Sequence, residues 1–173
     1  MIRVKKIALM FVLLLLTMPV LSSCSQGAPA SCREILGEII DGEIGLPAGK
    51  IYDVKAPEGK NEYLNERLIS TLFGGGSPPP MRDGWLDVAL FLPATAHPCE
   101  FAVILCDSAD TATDTARLLC RRLDSIRSTK GGGDYSALLE SATVTVIGNY
   151  ALLIVSSDTQ NAIKVASKVI RHR

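Results

Sequence analysis

The residues of this chain that could perform covalent chemistry are its cysteines and histidines. The sequence contains five cysteines and two histidines, and only His97 and Cys99 lie close together in it. Side chains at positions i and i+2 of an extended loop point the same way, so an imidazole could serve as the base for a thiol nucleophile. No carboxylate that would orient His97 is identifiable from the sequence, and a turn held by Pro98 is the simpler interpretation.

The remaining thiols do not follow a metal-binding pattern. Beyond Cys99, the domain contains Cys32, Cys106 and Cys120, none of them in a CxxC pair, so we predict neither a metal nor a cofactor. Cys106 ends an apolar segment and Cys120 lies beside the inner stripe of a helix, so both are expected to be buried small hydrophobes. Export would permit a disulfide, and the sequence leaves open whether Cys32 and Cys99 pair.

Cys24 stands in a different setting, at the end of the N-terminal segment. Residues 1–6 carry three basic residues and no acid, and residues 7–21 are almost entirely apolar, which is the layout of a secretory signal. Leu21-Ser22-Ser23-Cys24 resembles the bacterial lipobox, in which the cysteine is diacylated on sulfur and becomes the first residue after cleavage. Two acyl chains hold a protein on a membrane where one is marginal. We therefore predict a signal peptide over residues 1–23 and lipid attachment at Cys24.

The charge of the chain argues against a nucleic-acid partner. The 18 basic residues balance the 18 acidic residues, and three of the basic residues belong to the predicted signal peptide. The mature chain is therefore slightly acidic, which does not favour binding to phosphate backbones. Its length suits one domain, which we expect over residues 31–173, after a flexible spacer over residues 24–30.

Hydrophobic periodicity predicts helices and strands along this domain. Helices are expected after Ser31 and after Asn61, where apolar residues recur at helical spacing. Downstream, an order of strand, strand and helix occurs twice. Asp107, Ser108 or Asp110 is expected to cap the first of these helices, which ends near Ser128, and Asp158 or Thr159 is expected to cap the second. The predicted strands lie at residues 85–92, 101–106, 143–146 and 150–155, and residues 51–54 are expected to form only a brief extended piece.

This order predicts an α+β domain with a four-stranded mixed sheet. The second and fourth strands are apolar at every position, which indicates burial on both faces and a central place in the sheet. We expect these two strands to be parallel neighbours joined by a crossover. The resulting order, 1-2-4-3, is that of a permuted ferredoxin-like sheet from a ββα-ββα duplication. Both C-terminal helices would cover one face, and the additional N-terminal helices would cover the other.

Several of these segments together resemble a known family. The segments are Asp134-Tyr135 through Leu138-Leu139, the Gly148-Asn149-Tyr150 turn and Leu152 to Ser156, all behind a lipobox. They are similar to a family of small Gram-positive lipoproteins known only as a domain of unknown function. The chain departs from the family pattern at Asp134-Tyr135-Ser136, where a Tyr-x-Pro motif is missing. The resemblance implies no catalytic residues, because none are established for the family.

These observations favour a lipoprotein on the outer face of the bacterial plasma membrane. We expect a non-enzymatic module that binds an envelope protein or a small ligand, with membrane lipid contacted through diacylglyceryl Cys24. The alternative is a thiol-dependent or hydrolytic envelope enzyme that uses Cys99 and His97.

Overall fold

The computed structural model describes residues 28–74, 83–131 and 133–172. The predicted signal peptide and Cys24 lie outside these residues. The helices are α1 (Cys32–Gly42), α2 (Glu66–Phe73), α3 (Ala109–Lys130), α4 (Ser136–Ser141) and α5 (Thr159–Arg171), with a 3-10 turn at Gly133–Tyr135. The strands are β1 (Gly49–Asp53), β2 (Trp85–Pro93), β3 (Glu100–Cys106), β4 (Thr143–Ile147) and β5 (Tyr150–Val155).

The strands form one open antiparallel sheet in the order β1-β2-β3-β5-β4. The predicted α+β class is confirmed, but the predicted four-stranded sheet is wrong because β1 adds a fifth strand. β1 pairs with β2, and Ile51 lies opposite Phe91. β2 is therefore an interior strand, which explains why its middle residues are buried on both faces.

The central strands β3 and β5 run antiparallel, with Phe101 opposite Ile154, so the prediction of a parallel pair is wrong. The reason is the connection from β3 through α3 and α4, which makes β4 run in the same direction as β3 before the β4–β5 hairpin reverses the chain. Gly148 has a φ of +58°, as a tight primed turn requires, and this turn returns β5 between β3 and β4. α3 thus connects β3 to β4, which run in the same direction, and β5 must run opposite to both.

Helices cover both faces of the sheet. The first-face core lies between the sheet and α2, α3 and α4, whereas the second-face core lies between the sheet and α1 and α5. The prediction that both C-terminal helices share a face is therefore wrong. β3 and β5 are apolar on both faces, so each face needs a cover, and each receives one of these helices.

The helix starts follow from side-chain caps. Ser31 caps α1, Ser108 caps α3 and Asp158 caps α5, each accepting from a backbone N–H at 3.1 Å. α2 begins after Asn65, not after Asn61 as predicted. The residues after Asn61 stay extended because they pair with the end of β1: the backbone N–H groups of Asp53 and Leu64 donate to Glu62 O and Asp53 O.

The cysteines are only partly where the sequence predicts them. Cys106 is buried, as expected, and its Sγ lies 3.4 Å from Thr115 Oγ1. Cys120 is exposed, so its predicted burial is wrong. The preceding residue, Leu119, occupies the core position instead. Successive residues of a helix are rotated by about 100° around its axis, so Cys120 lies outside the core. Cys32 and Cys99 are both buried and are both free thiols in the structure.

Candidate functional site

A β-bulge in β2 directs the side chains of Trp85 and Asp87, which are two residues apart, to opposite faces of the sheet. The register between β2 and β3 shifts between Trp85 and Asp87. Residues two apart on a regular strand share a face, but the bulge breaks this rule. Trp85 packs edge-on against Phe73 and donates from Nε1 to Thr115 Oγ1 at 2.9 Å in the first-face core. Asp87 instead meets Cys32, which belongs to the second-face core.

The Asp87 side chain is only 1% exposed and joins α1 to the sheet. Its Oδ2 accepts a hydrogen bond from the Cys32 backbone N–H at 2.9 Å and pairs with Lys55 Nζ at 2.8 Å. Because Cys32 begins α1, the carboxylate satisfies a free N–H group at the positive end of the helix. The Cys32 thiol donates to the Asp87 carbonyl at 3.4 Å. We call Cys32, Lys55 and Asp87 the Asp87 cluster.

The protonation states of the side chains in the Asp87 cluster suit a structural role, in which the cluster holds α1 against the sheet. Burial raises the pKa of the Cys32 thiol well above its usual value, and the negative charge of Asp87 raises it further. The thiol is therefore a protonated donor and a poor nucleophile. The hydrogen bond to Asp87 raises the pKa of Lys55, which keeps the ammonium charged. Asp87 Oδ1 is buried without a hydrogen-bond partner in the described part of the chain.

A second buried carboxylate, Asp53, lies beside this cluster. Asp53 is 5% exposed, and its Oδ1 accepts from the Lys55 backbone N–H at 2.7 Å. Arg33 Nη1 lies 3.9 Å from Asp53 Oδ2. The carboxylates of Asp53 and Asp87 thus lie beside the basic side chains of Arg33 and Lys55 near the start of α1. The sequence prediction missed both carboxylates, although an aspartate inside an otherwise apolar strand is the signal that points to Asp87.

The chain preceding α1 is also attached to the sheet. Ala30, which the sequence assigns to the flexible spacer, is 2% exposed and packs in the second-face core. Its carbonyl accepts the Tyr150 hydroxyl at 2.7 Å, and burial raises the pKa of Tyr150 to about 12. Ala30, six positions after Cys24 in the sequence, is therefore already part of the folded domain.

The structure brings Cys99 and His97 together, but not as a nucleophile and its base. His97 Nδ1 accepts a hydrogen bond from the Cys99 backbone N–H at 3.0 Å. The Cys99 side chain is buried in the second-face core, and burial raises its pKa to about 12. The His97 ring packs edge-on against Tyr135, and Lys130 Nζ donates to the His97 carbonyl at 2.9 Å. The imidazole therefore closes a turn, as the simpler interpretation predicts.

Two further carboxylates, the buried Glu100 and the partly buried Glu43, lie at the end of the sheet opposite to Asp87. Glu100 is 4% exposed and accepts from Arg122 Nε at 2.9 Å and from Nη2 at 2.6 Å. Glu43 Oε2 accepts from the Ser156 hydroxyl at 2.6 Å, while Oε1 has no partner among the described residues. Burial raises the pKa of Glu43. Ser156 Oγ also accepts from the Asp158 backbone N–H at 2.9 Å, which ties Glu43 to the start of α5.

An open groove of about 660 Å³ runs between α1 and α5. Its α1 wall carries the acidic residues Glu34, Glu38 and Asp41, and its α5 wall carries Lys168 and His172. Two half-buried valines, at positions 165 and 169, supply apolar surface between these walls. The groove therefore combines an apolar centre with a predominantly acidic rim, and we call it the α1–α5 groove.

No protein-family model, curated protein or solved structure matches this chain. Within residues 28–74, 83–131 and 133–172, none of the helices has the length and apolar character needed to cross a membrane. In the same ranges, no three His, Cys, Asp or Glu side chains are grouped closely enough to hold a metal ion.

Proposed function

We propose that this protein is a bacterial lipoprotein on the outer face of the plasma membrane, anchored through diacylglyceryl Cys24. Its domain would act as a non-enzymatic module that binds an envelope protein or a small ligand. The observation that carries the proposal is the lipobox-like sequence that ends at Cys24, six positions before Ala30. Because Ala30 is packed in the core, an anchor at Cys24 would hold the domain within about 20 Å of the lipid, at 3.3–3.6 Å per residue.

The α1–α5 groove is the binding surface that we propose for this module. Its acidic rim, formed by Glu38 and Asp41 among others, favours a partner with basic groups. The valine side chains of α5 would pack against an apolar side chain of the same partner. A protein segment that carries an apolar residue between basic residues has this chemistry.

The anchor is tested by the intact mass of the mature protein. We expect cleavage before Cys24 and the added mass of a diacylglyceryl group. The Cys24→Ser variant should lose both changes and leave the membrane fraction, whereas the matched variant Ser22→Ala should keep them. A Cys24→Ser protein that is processed and fractionates like the unaltered chain would contradict the proposal.

The groove is tested by site-specific photocrosslinking in intact cells. A photoreactive residue replacing Glu38 would lie in the groove, and one replacing Asp124 would lie on α3, where the native side chain is 74% exposed. We expect a discrete crosslinked species from position 38 only, and Asp41→Lys should remove it. Equal crosslinking from both positions, or none from position 38, would argue against a partner in the groove.

The enzymatic alternative draws no support from this geometry, because the Cys99 thiol is buried and His97 Nδ1 accepts from the Cys99 backbone N–H, not from the thiol. Cys99→Ala and His97→Ala variants with an intact cellular phenotype would count against it.

Two structural relationships remain proposals. The order of strand, strand and helix occurs in β2, β3 and α3 and again in β4, β5 and α5, which supports a ββα-ββα duplication to which β1 adds an edge. The resemblance to small Gram-positive lipoproteins likewise rests on the segments around Tyr135 and Tyr150.

A further inference from the structure

The two edges of the sheet differ in how they are protected against pairing with another strand. At the β1 edge, the backbone N–H and C=O of Asp53 are bonded to the chain at Glu62 and Leu64, and Lys50 adds a charge. The β4 edge consists of Thr143–Ile147, in which every residue is β-branched and none is charged. Natural edge strands are usually short, charged, interrupted by proline or covered, because an open edge pairs readily.

The hydrogen bonding of the hairpin defines which backbone groups of β4 face outward. Ile147 pairs with Tyr150 across a two-residue turn, and residues flanking such a turn exchange hydrogen bonds with each other. Bonded pairs then alternate along the strand, so Val144 and Val146 direct their N–H and C=O groups away from β5. In the described residues, these four groups have no hydrogen-bond partner. Val146 is also 37% exposed, which is unusual for a large apolar side chain in this domain.

We propose that β4 pairs antiparallel with β4 of a second copy of this chain, centred on Thr145. In this register, the outward groups of Val144 meet those of Val146 in the second copy, and four backbone hydrogen bonds form. Thr143 lies opposite Ile147 of the second copy, so only β-branched side chains face each other across the new pair. The interface is isologous: one surface supplies both halves, as a two-fold dimer requires.

The local charge favours a second copy as the occupant of this edge. Residues 141–149 contain no charged side chain, so two identical edges can approach without like charges meeting. The pairing needs no rearrangement, because Val144 and Val146 already present their N–H and C=O groups on the open side. It would join the two sheets into one ten-stranded sheet.

The register predicts a specific disulfide in the full-length protein. Thr145 would face itself across the two-fold axis as a non-hydrogen-bonded pair, with Cα atoms about 4.5 Å apart, which a disulfide can bridge. Thr143 would lie about 13 Å from its own copy, at about 3.3 Å per residue, which a disulfide cannot bridge. The test compares the variants Thr145→Cys and Thr143→Cys. Both also carry Cys120→Ser, which removes the exposed thiol among the described residues.

We expect mild oxidation of the membrane-bound protein to convert Thr145→Cys, but not Thr143→Cys, into a covalent dimer. Adding Val146→Lys to the Thr145→Cys variant should abolish the crosslink, because a lysine protects an edge from pairing. The same lysine variant should sediment as a monomer in detergent, and the fluorescence of Trp85 reports whether it remains folded. The proposal is overturned if the folded Thr145→Cys variant does not crosslink, if Thr143→Cys crosslinks equally, or if the lysine has no effect.

Discussion

Lys55→Met tests whether an exposed lysine neutralises a buried carboxylate. The Lys55 side chain is 58% exposed, whereas the Asp87 side chain is 1% exposed, and the two charged atoms lie 2.8 Å apart. An ion pair between two exposed residues typically contributes 0–1 kcal/mol. Removing Lys55 has a different consequence, because it leaves a buried charge whose Oδ1 already has no partner in the described residues.

We expect Lys55→Met to lower the free energy of unfolding by about 2 kcal/mol at pH 7, since stranding a buried charged acceptor costs more than losing a surface pair. Asp87→Asn should cost about 1–2 kcal/mol, because the amide oxygen can still accept from the Cys32 backbone N–H while Lys55 returns to water. Once Asn occupies position 87, no stranded charge remains. Lys55→Met should then cost about 0 kcal/mol, which gives a coupling energy of about 2 kcal/mol.

The measurement is a double-mutant cycle by urea unfolding. Trp85 is the single tryptophan of the chain and lies in the first-face core, so its fluorescence follows the loss of packing. Lys60→Met is the matched control, because Lys60 is an exposed lysine of the same loop. It should change the unfolding free energy by less than about 0.5 kcal/mol.

The pH dependence of the Lys55→Met effect has a defined sign. The hydrogen bond to Asp87 raises the pKa of Lys55 above its usual 10.5, so its stabilisation is complete below pH 10.5 and is lost as the pH rises through the folded-state value. The deficit of Lys55→Met should therefore shrink in alkali. The reasoning is refuted if Lys55→Met resembles Lys60→Met at pH 7, or if it costs the same with Asp and with Asn at position 87.

Three further predictions concern other buried groups. In the folded domain, Cys120 should react rapidly with a thiol reagent at pH 8 while Cys99, whose pKa is raised to about 12, stays protected. Rapid labelling of Cys99 in the folded Cys120→Ser variant would contradict the assigned burial. Glu43→Gln should raise the free energy of unfolding at pH 7, because burial disfavours the charged form of the Glu43 carboxyl in the folded state. This gain should vanish below pH 4.5, and a gain that persists there would point to another cause. Arg122→Ala should lower the unfolding free energy by about 3 kcal/mol by stranding Glu100, and a loss under 1 kcal/mol in urea unfolding would show that water replaces the guanidinium.

The strands and helix starts were largely readable from the sequence, because they depend on local patterns. Alternation and wholly apolar runs located β2 to β5, and serine or aspartate caps located the starts of α1, α3 and α5. β1 was identified only as a brief extended piece, since its five residues carry little burial and its pairing partner lies about 40 residues downstream. Whether such a short segment joins a sheet depends on the distant strand that accepts it.

The candidate site was less predictable, because its residues are assembled from separate parts of the chain. Sequence reasoning singled out His97 and Cys99 for their proximity, and the structure places them in a turn and a core. Asp87 and Lys55 lie 32 positions apart, and no local pattern indicates that the bulge in β2 turns the carboxylate toward α1. Proximity in sequence shows which side chains can meet, and does not show which atoms they present to each other.

The sequence by itself determined the type and extent of most elements, and it predicted a leader with a lipobox-like end and a slightly acidic mature chain. The tertiary structure decided the antiparallel direction of β5, the face that each helix covers and the burial of Asp87. The physical reason is that hydrophobic period and capping act over a few residues. Strand direction, face and the partner of a buried charge are set instead by contacts between segments far apart in the chain.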